Sequence, residues 1–295
     1  MRFCSAVQVT FALFIACCAA PAAAETARVQ YLGSFNWHMD KPWFGGWSGI
    51  ELSADGRKMT VITDRGYLMS ARVTRSGDQI TAIRPGPIRH LKASTGKYLA
   101  RSIADSEGLV VSPDGQYYVS FEGVARVARY DTPTGTAVAL PQGSEFREFE
   151  DNKALEALAM DANGRLYAVP EIADDDDGIT VFALKNGVWS TPFTLNGGEG
   201  FLPVGADFGP DGQFYLLERG WNIFGFRTRL RRWAFVGGQP QQEQLLVQTR
   251  TGTHGNLEGV SVWRDPQGRT RITMISDDNF MFFQRTELVE YAVTE

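Results

Sequence analysis

The chain has 295 residues, 29 basic against 34 acidic, for a formal net charge of -5 with 43% hydrophobic residues. A mildly acidic chain without a basic run is a poor partner for nucleic acid, and after residue 24 no apolar run is long enough to span a bilayer. Its three cysteines are Cys4, Cys17 and Cys18.

The first 24 residues have the three parts of an export signal: basic Arg2, an apolar run from Val7 to Ala20, and small residues at Ala22 to Ala24. Cleavage there is expected to leave residues 25–295 as a periplasmic or secreted chain. The alternative, lipidation at Cys17, needs a small-residue box that Phe14 to Ala16 fits poorly. The cleaved chain has 28 basic and 34 acidic residues and no cysteine, so no disulfide supports the fold.

From Ala27 to Gly33 a single strand is expected, followed by a phrase that recurs five times. Each copy reads as a strand, a tight turn at an Asx-Gly or similar pair, and a returning strand ending in an acid. The copies run from Trp47 through Asp55 to Asp64, Asp105 through Asp114 to Glu122, Leu155 through Asn163 to Glu171, Val204 through Asp211 to Glu218, and Asn256 through Asp265 to Asp277. Two weaker alternating strands follow the first four copies: Leu68–Thr74 with Gln79–Arg84, Ala125–Tyr130 with Ala137–Leu140, Ile179–Leu184 with Val188–Leu195, and Thr228–Phe235 with Gln242–Gln248. The fifth copy has one further strand, Leu288–Val293, before the chain ends.

A period of roughly 50 residues built from β-hairpins implies radial repetition. The fold class expected is all-β: one domain, a β-propeller of five four-stranded blades in which the N-terminal strand completes the last blade. Six blades is the alternative if the N-terminal segment builds more than one strand. The long connections (35–46, 85–104, 141–153, 173–177, 220–227 and 278–286) all fall on one side, which marks a working face.

Acids at the two ends of each phrase should converge on the rim of the central channel at that face. The inner set is Glu107, Glu156 and Glu258; the returning set is Asp64, Glu122, Glu171, Glu218 and Asp277. So many like charges need compensation. An oxygen-only cluster suits Ca²⁺ best, with Mg²⁺ possible, and does not suit Zn²⁺. The expected metal ligands come from Glu107, Glu122, Glu156, Glu171, Glu218, Glu258 and Asp277, with Glu107, Glu156 and Glu258 as catalytic candidates.

Arg65, Arg101 and Arg219 stand beside these acids in sequence and could hold the anionic part of a substrate. His38 and His254 on top loops are candidates for proton transfer. Asp174 to Asp177 reads as a solvated turn, and the aromatics Phe35, Trp37, Trp43, Phe44, Trp47, Trp221, Phe224 and Phe226 as a platform or as buried packing. Ser48 and Val204 stand where the other inner strands carry an acid; Glu51 and Asp207, three residues on, have the wrong parity to replace them. No G-x-S-x-G, H-E-x-x-H or Gly-rich phosphate loop is present.

The phrases Asp105-Ser106-Glu107-Gly108-Leu109, Asn256-Leu257-Glu258-Gly259-Val260 and Leu155-Glu156-Ala157-Leu158, with Ile275 to Phe280 and Thr286-Glu287-Leu288, resemble the phytase-like domain family of "esterase-like activity of phytase" proteins. The resemblance covers nearly all of residues 25–295. It implies a propeller with recurrent acids at an active site and hydrolysis of a phosphate or other ester. The function expected is an exported, metal-dependent hydrolase of a small-molecule ester, most plainly a phosphoester, acting as a monomer. The alternatives are a lactonase-type carboxyl-ester hydrolase and a non-catalytic binding or scaffold propeller holding a structural cation.

Overall fold

The computed structural model describes residues 28–144, 146, 154–172 and 178–294. The expected export signal and the Asp174 to Asp177 run lie outside the described residues. Five antiparallel sheets form a ring. From the channel outward, blade one is Trp47–Leu52, Lys58–Thr63, Tyr67–Ser76 and Gln79–Pro85; blade two is Ser106–Val111, Tyr117–Phe121, Arg126–Tyr130 and Val138–Ala139. Blade three is Leu155–Met160, Leu166–Pro170, Gly178–Lys185 and Val188–Asn196; blade four is Leu202–Phe208, Phe214–Asn222, Gly225–Val236 and Gln239–Gln248. Blade five is Asn256–Arg264, Thr270–Asp277 and Glu287–Thr294, completed by Arg28–Asn36 from the start of the described chain.

That last pairing is antiparallel, from Arg28 opposite Thr294 to Asn36 opposite Glu287, and it closes the ring as the lone N-terminal strand predicts. Closure leaves no blade without a neighbour on either face. The count is five, so the six-bladed alternative is set aside. Two details differ from the sequence expectation. Blade one gains a short fifth strand, Arg89–His90, on the Tyr67–Leu68 end of its third strand. In blade four the expected loop 220–227 is a projecting hairpin whose ladder continues to Asn222 opposite Gly225, with Trp221 facing Phe226 across it.

Five apolar clusters fill the five gaps between blades. Trp37, Phe44 and Trp47, part of the first aromatic run, belong to the one between blades five and one: Trp37 stacks on Trp47 at 5.2 Å and meets Phe44 edge-on at 5.0 Å. At the lower turns Asp55, Asp161, Asp211 and Asp265 accept backbone N–H groups two residues on, and the glycine beside each turn has positive φ, such as 64° at Gly56. In blades one and four the accepting Asp belongs to the Asx-Gly pair itself; in blades three and five it lies three residues before the glycine.

Each inner strand is also bulged at one place. Register shifts between Trp47 and Gly49, Ser106 and Leu109, Leu155 and Ala157, Pro203 and Gly205, and Leu257 and Gly259. The extra residue is Ser48, Val204, or one of the inner acids Glu107, Glu156 and Glu258. In four blades the residue after it is glycine because the next inner strand lies against it. A Cβ on Gly205 would stand 2.6 Å from the Glu258 carbonyl, on Gly49 2.9 Å from that of Glu107, and on Gly259 3.0 Å from that of Ser48. Gly205→Ala should therefore force two inner strands apart and lower stability by about 1–3 kcal/mol in urea unfolding.

Candidate functional site

The bulges turn the inner acids into the upper mouth of the channel, where the second strands also end. Asp64, Asp105, Glu107, Glu122, Glu156, Glu171, Glu258, Asp277 and Asp278 form one electrostatically connected group there. Asp105, Glu107 and Glu122 each bring a carboxylate oxygen within 4.8 Å of the others. At an effective dielectric of about 20, each fully ionised pair at that spacing costs roughly 3–4 kcal/mol. Three such pairs amount to ~10 kcal/mol, comparable with the whole stability of a domain. The cluster must hold protons or a cation.

Burial and mutual repulsion set the proton affinities. Burial, then Glu156, Glu258, Asp105 and Glu122, hold Glu107 well above the usual carboxylate range. Glu156 is raised in the same way by burial and then Glu171, Glu258 and Glu122. Burial also pushes Glu258 up to about 8, Glu122 and Asp64 to about 7, and Asp277 to about 6. Asp105 is raised by burial, with its contact to Glu107 working the other way.

Arg219 is the cation immersed in this group. It pairs with Glu171 and Glu258 and donates to Asn256 Oδ1 at 3.0 Å. Burial opposes its charge, but Glu258, Glu171 and Glu156 outweigh burial and raise its pKa. The sequence reading assigns Arg219 to substrate; the structure corrects this, because its guanidinium is committed to protein carboxylates. Arg65 lies at the rim, 3.3 Å above the Phe280 ring and 3.9 Å from Asp64. Arg101 is exposed in the short 3₁₀ turn Arg101–Ile103 that leads into Asp105.

Two further expectations change, those for Glu218 and His254. Glu218 is fully buried but turned into blade four, where Arg229 and Arg231 grip both its oxygens at 2.7–2.9 Å. Cross-strand pairing with arginine on the third strand takes it out of any ligand set. His254 is buried against Tyr291, its Nε2 2.8 Å from the phenol oxygen, and does not reach the acids; His38 is exposed with Phe44 as its ring neighbour. Ser48 and Ser106 donate to the carbonyls of Ser106 and Thr63 at 2.6 Å, stitching blade one to blade two.

Glu51 and Asp207 stay apart from the ring, as their parity predicts. They lie lower in the channel, Glu51 accepting from Ser261 at 3.3 Å and Asp207 from the Val262 amide at 2.6 Å. Asp105 and Asp278 are the residues that the sequence reading leaves out of the site. Asp105 lies two residues before Glu107, and Asp278 follows Asp277, so each was visible as a neighbour of a chosen acid. What was not visible is the fold of the 278–286 loop, in which Asp278 accepts from the Gly46 amide and Thr286 at 3.3 and 3.2 Å.

The group fits a hard divalent cation. Its donors are all oxygen, and Asp64 Oδ1 is buried without any hydrogen-bond donor. Asp105, Glu107 and Glu122 are the compact set. The fold and this mouth define a class: a five-bladed propeller with a recessed carboxylate site at the top of its channel.

A profile for the phytase-like family, "Esterase-like activity of phytase", matches residues 42–280, and the chain belongs to that family. No curated protein matches the sequence. Among solved structures, the PQQ-bound aldose sugar dehydrogenase from Streptomyces coelicolor aligns with a TM-score of 0.51 at 14% identity, covering 91% of this chain and 98% of that one. An endo-1,4-beta-xylanase from Bacteroides thetaiotaomicron aligns at 0.47 and 13% identity, covering 83% and 90%. These likenesses concern the fold alone.

Two outcomes follow from the ring. The raised carboxyls keep protons in the folded state that the unfolded chain, with pKa values near 4, has released. In chelator, stability should therefore fall as pH rises from about 4.5 to about 8, by about 1.4 kcal/mol per pH unit for each such proton; a melting temperature that climbs over this range would contradict the assignment. Glu218→Ala should destabilise the fold, by at most roughly 3–5 kcal/mol, because it removes the shared partner of two buried arginines and leaves them Glu199 and Glu243, yet leave the response to added divalent metal intact.

Proposed function

We propose that the chain is an exported, metal-dependent hydrolase of a small ester, a phosphoester in the first reading. The observation that carries this is the convergence of nine carboxylates on the channel mouth around a single immersed arginine, with Asp105, Glu107 and Glu122 close enough to share one ion. Membership of an esterase-like family supports the reaction class. The export signal at residues 1–24 supports a periplasmic or secreted site of action.

In this reading Asp105, Glu107 and Glu122 hold the cation, Ca²⁺ before Mg²⁺, with Glu156 adjacent. A bound divalent ion lowers the pKa of a water and polarises the ester oxygen. The protein's own groups do the rest. Glu258, with its pKa near 8, exchanges a proton close to neutrality and serves as general base. Arg219 fixes Glu258 and Glu171 in orientation through its two pairings. Arg65 and Arg101 at the rim receive the anionic part of the substrate.

The commitment of Arg219 to Glu171 and Glu258 favours a second reading, a lactonase-type carboxyl-ester hydrolase. With only rim arginines free, a neutral ester needs less compensation than a phosphate. The two are separated by assaying aryl phosphates and lactones side by side on chelated protein given Ca²⁺, Mg²⁺, Mn²⁺ or Zn²⁺. Ca²⁺ should raise the melting temperature and restore turnover of one substrate class. Glu107→Ala/Glu258→Ala should abolish both effects, and Asp105→Asn should weaken metal affinity by tenfold or more, since it removes a charge from the compact set. No thermal response to any metal would remove the mechanism and leave a binding propeller as the better account.

A further inference from the structure

The mouth of the channel carries a second feature that the hydrolase chemistry leaves unused. Beyond Arg219 the second strand of blade four rises three more residues, about 10 Å, to a hairpin tip with Trp221, Ile223 and Phe224 exposed at 66, 83 and 81%. In the neighbouring blade the loop after Asp277 presents Met281, Phe282 and Phe283 at 49, 98 and 70%. Phe282 and Phe283 touch only edge to face, 5.4 Å apart.

The loop 249–255, which connects blade four to blade five, packs against the hairpin. Thr251 accepts from Asn222 at 2.9 Å, and the Gly252 amide donates to the Phe226 carbonyl at 2.8 Å. Across residues 221–225, 249–255 and 279–286 there is no carboxylate; the charged side chains are Arg250 and Arg285, both exposed. Arg285 is bridged to the buried Glu287 at 3.2 Å, so the positive charge of this apolar sector rests on Arg250.

We propose that these loops are a docking surface for an anionic phospholipid bilayer, which sets the channel mouth against the lipid. The apolar groups sit at the tip of a hairpin and on a loop, so a fluid interface can surround each one where a rigid partner would need matching pockets. Tryptophan and phenylalanine suit the headgroup boundary, and the exposed Arg250 matches lipid phosphate in charge. Arg219 lies about 10 Å below the hairpin tip, roughly a Debye length, while Asp278 stands at the foot of the blade-five loop, where it accepts from the Gly46 amide and Thr286. The substrate class that follows is an ester whose apolar part is held in the bilayer. That clause rests on the hydrolase reading; the docking surface does not.

The test uses protein recovered after export, its N-terminus checked by intact mass so that no apolar leader contributes. It is sedimented with vesicles of equimolar phosphatidylglycerol and phosphatidylcholine, and with phosphatidylcholine alone. Wild type should sediment with the anionic vesicles, and Trp221→Ser/Phe224→Ser/Phe282→Ser/Phe283→Ser should lose at least about tenfold in partitioning without a change in melting temperature. In wild type, bromine-labelled lipid should quench the fluorescence component that Trp221→Phe removes. Wild type left in the supernatant, or equal sedimentation of the serine variant, would overturn the proposal. So would a wild-type dimer that the serine variant dissolves, since a second copy would then be what covers the patch. Binding is read without turnover: docking without hydrolysis sinks only the enzyme reading, and turnover of soluble esters without docking sinks only this one.

Discussion

The structure depends on how closely successive inner strands approach one another around the channel. At Gly49, Gly205 and Gly259 the backbone of the next blade occupies the space of a side chain, and at Gly108 the Cβ of Leu158 does so at 2.6 Å. That approach narrows the ring until residues from five separate repeats share one mouth. The bulge beside each of these positions then decides which side chain points into it. Glycine and acid are thus adjacent for complementary reasons, one making room for a neighbouring strand and the other standing in the space the strands enclose.

Convergence has an electrostatic consequence that burial makes worse. Carboxylates that would be harmless on a surface become mutually dependent when desolvated together. Arg219 offsets part of the charge by joining Glu171 and Glu258, on the side of the ring away from Asp105 and Glu107. The remaining acids form the unsatisfied portion, and that is where a cation fits. The same blade shows the opposite solution one residue earlier in sequence: Glu218 is neutralised by Arg229 and Arg231 and is structural.

The rim above the ring is built from connections between strands, and here the blades differ most. Blade five ends its second strand in Asp277 and passes directly into the Phe280–Phe283 loop, with Phe280 under Arg65. Blade four extends its hairpin in regular pairing, which carries Trp221 and Phe224 clear of the body of the propeller. A rigid ring with unequal lips presents its site from one side: the apolar lip rises from blades four and five, while the acids come from blades one, two, three and five.

Much of this was legible in the sequence. The five phrases, their Asx-Gly turns and the lone N-terminal strand determine the blade count and the closure, because strand alternation and turn chemistry are local properties. Glu107, Glu122, Glu156, Glu171, Glu258 and Asp277 were readable as one group because the repeat places them at equivalent strand ends. What the repeat could not reveal is which partner each acid meets. Glu218 and Glu171 occupy the same position in their phrases, yet one faces arginines within its own blade and the other an arginine of the neighbouring blade. Only the tertiary structure decided this, since the pairing depends on cross-strand neighbours on third strands and on adjacent blades. The same holds for the aromatics: Trp37 and Trp47 are buried and Trp221 is exposed because burial is settled by what the folded chain brings against each ring, and by nothing in the ring itself.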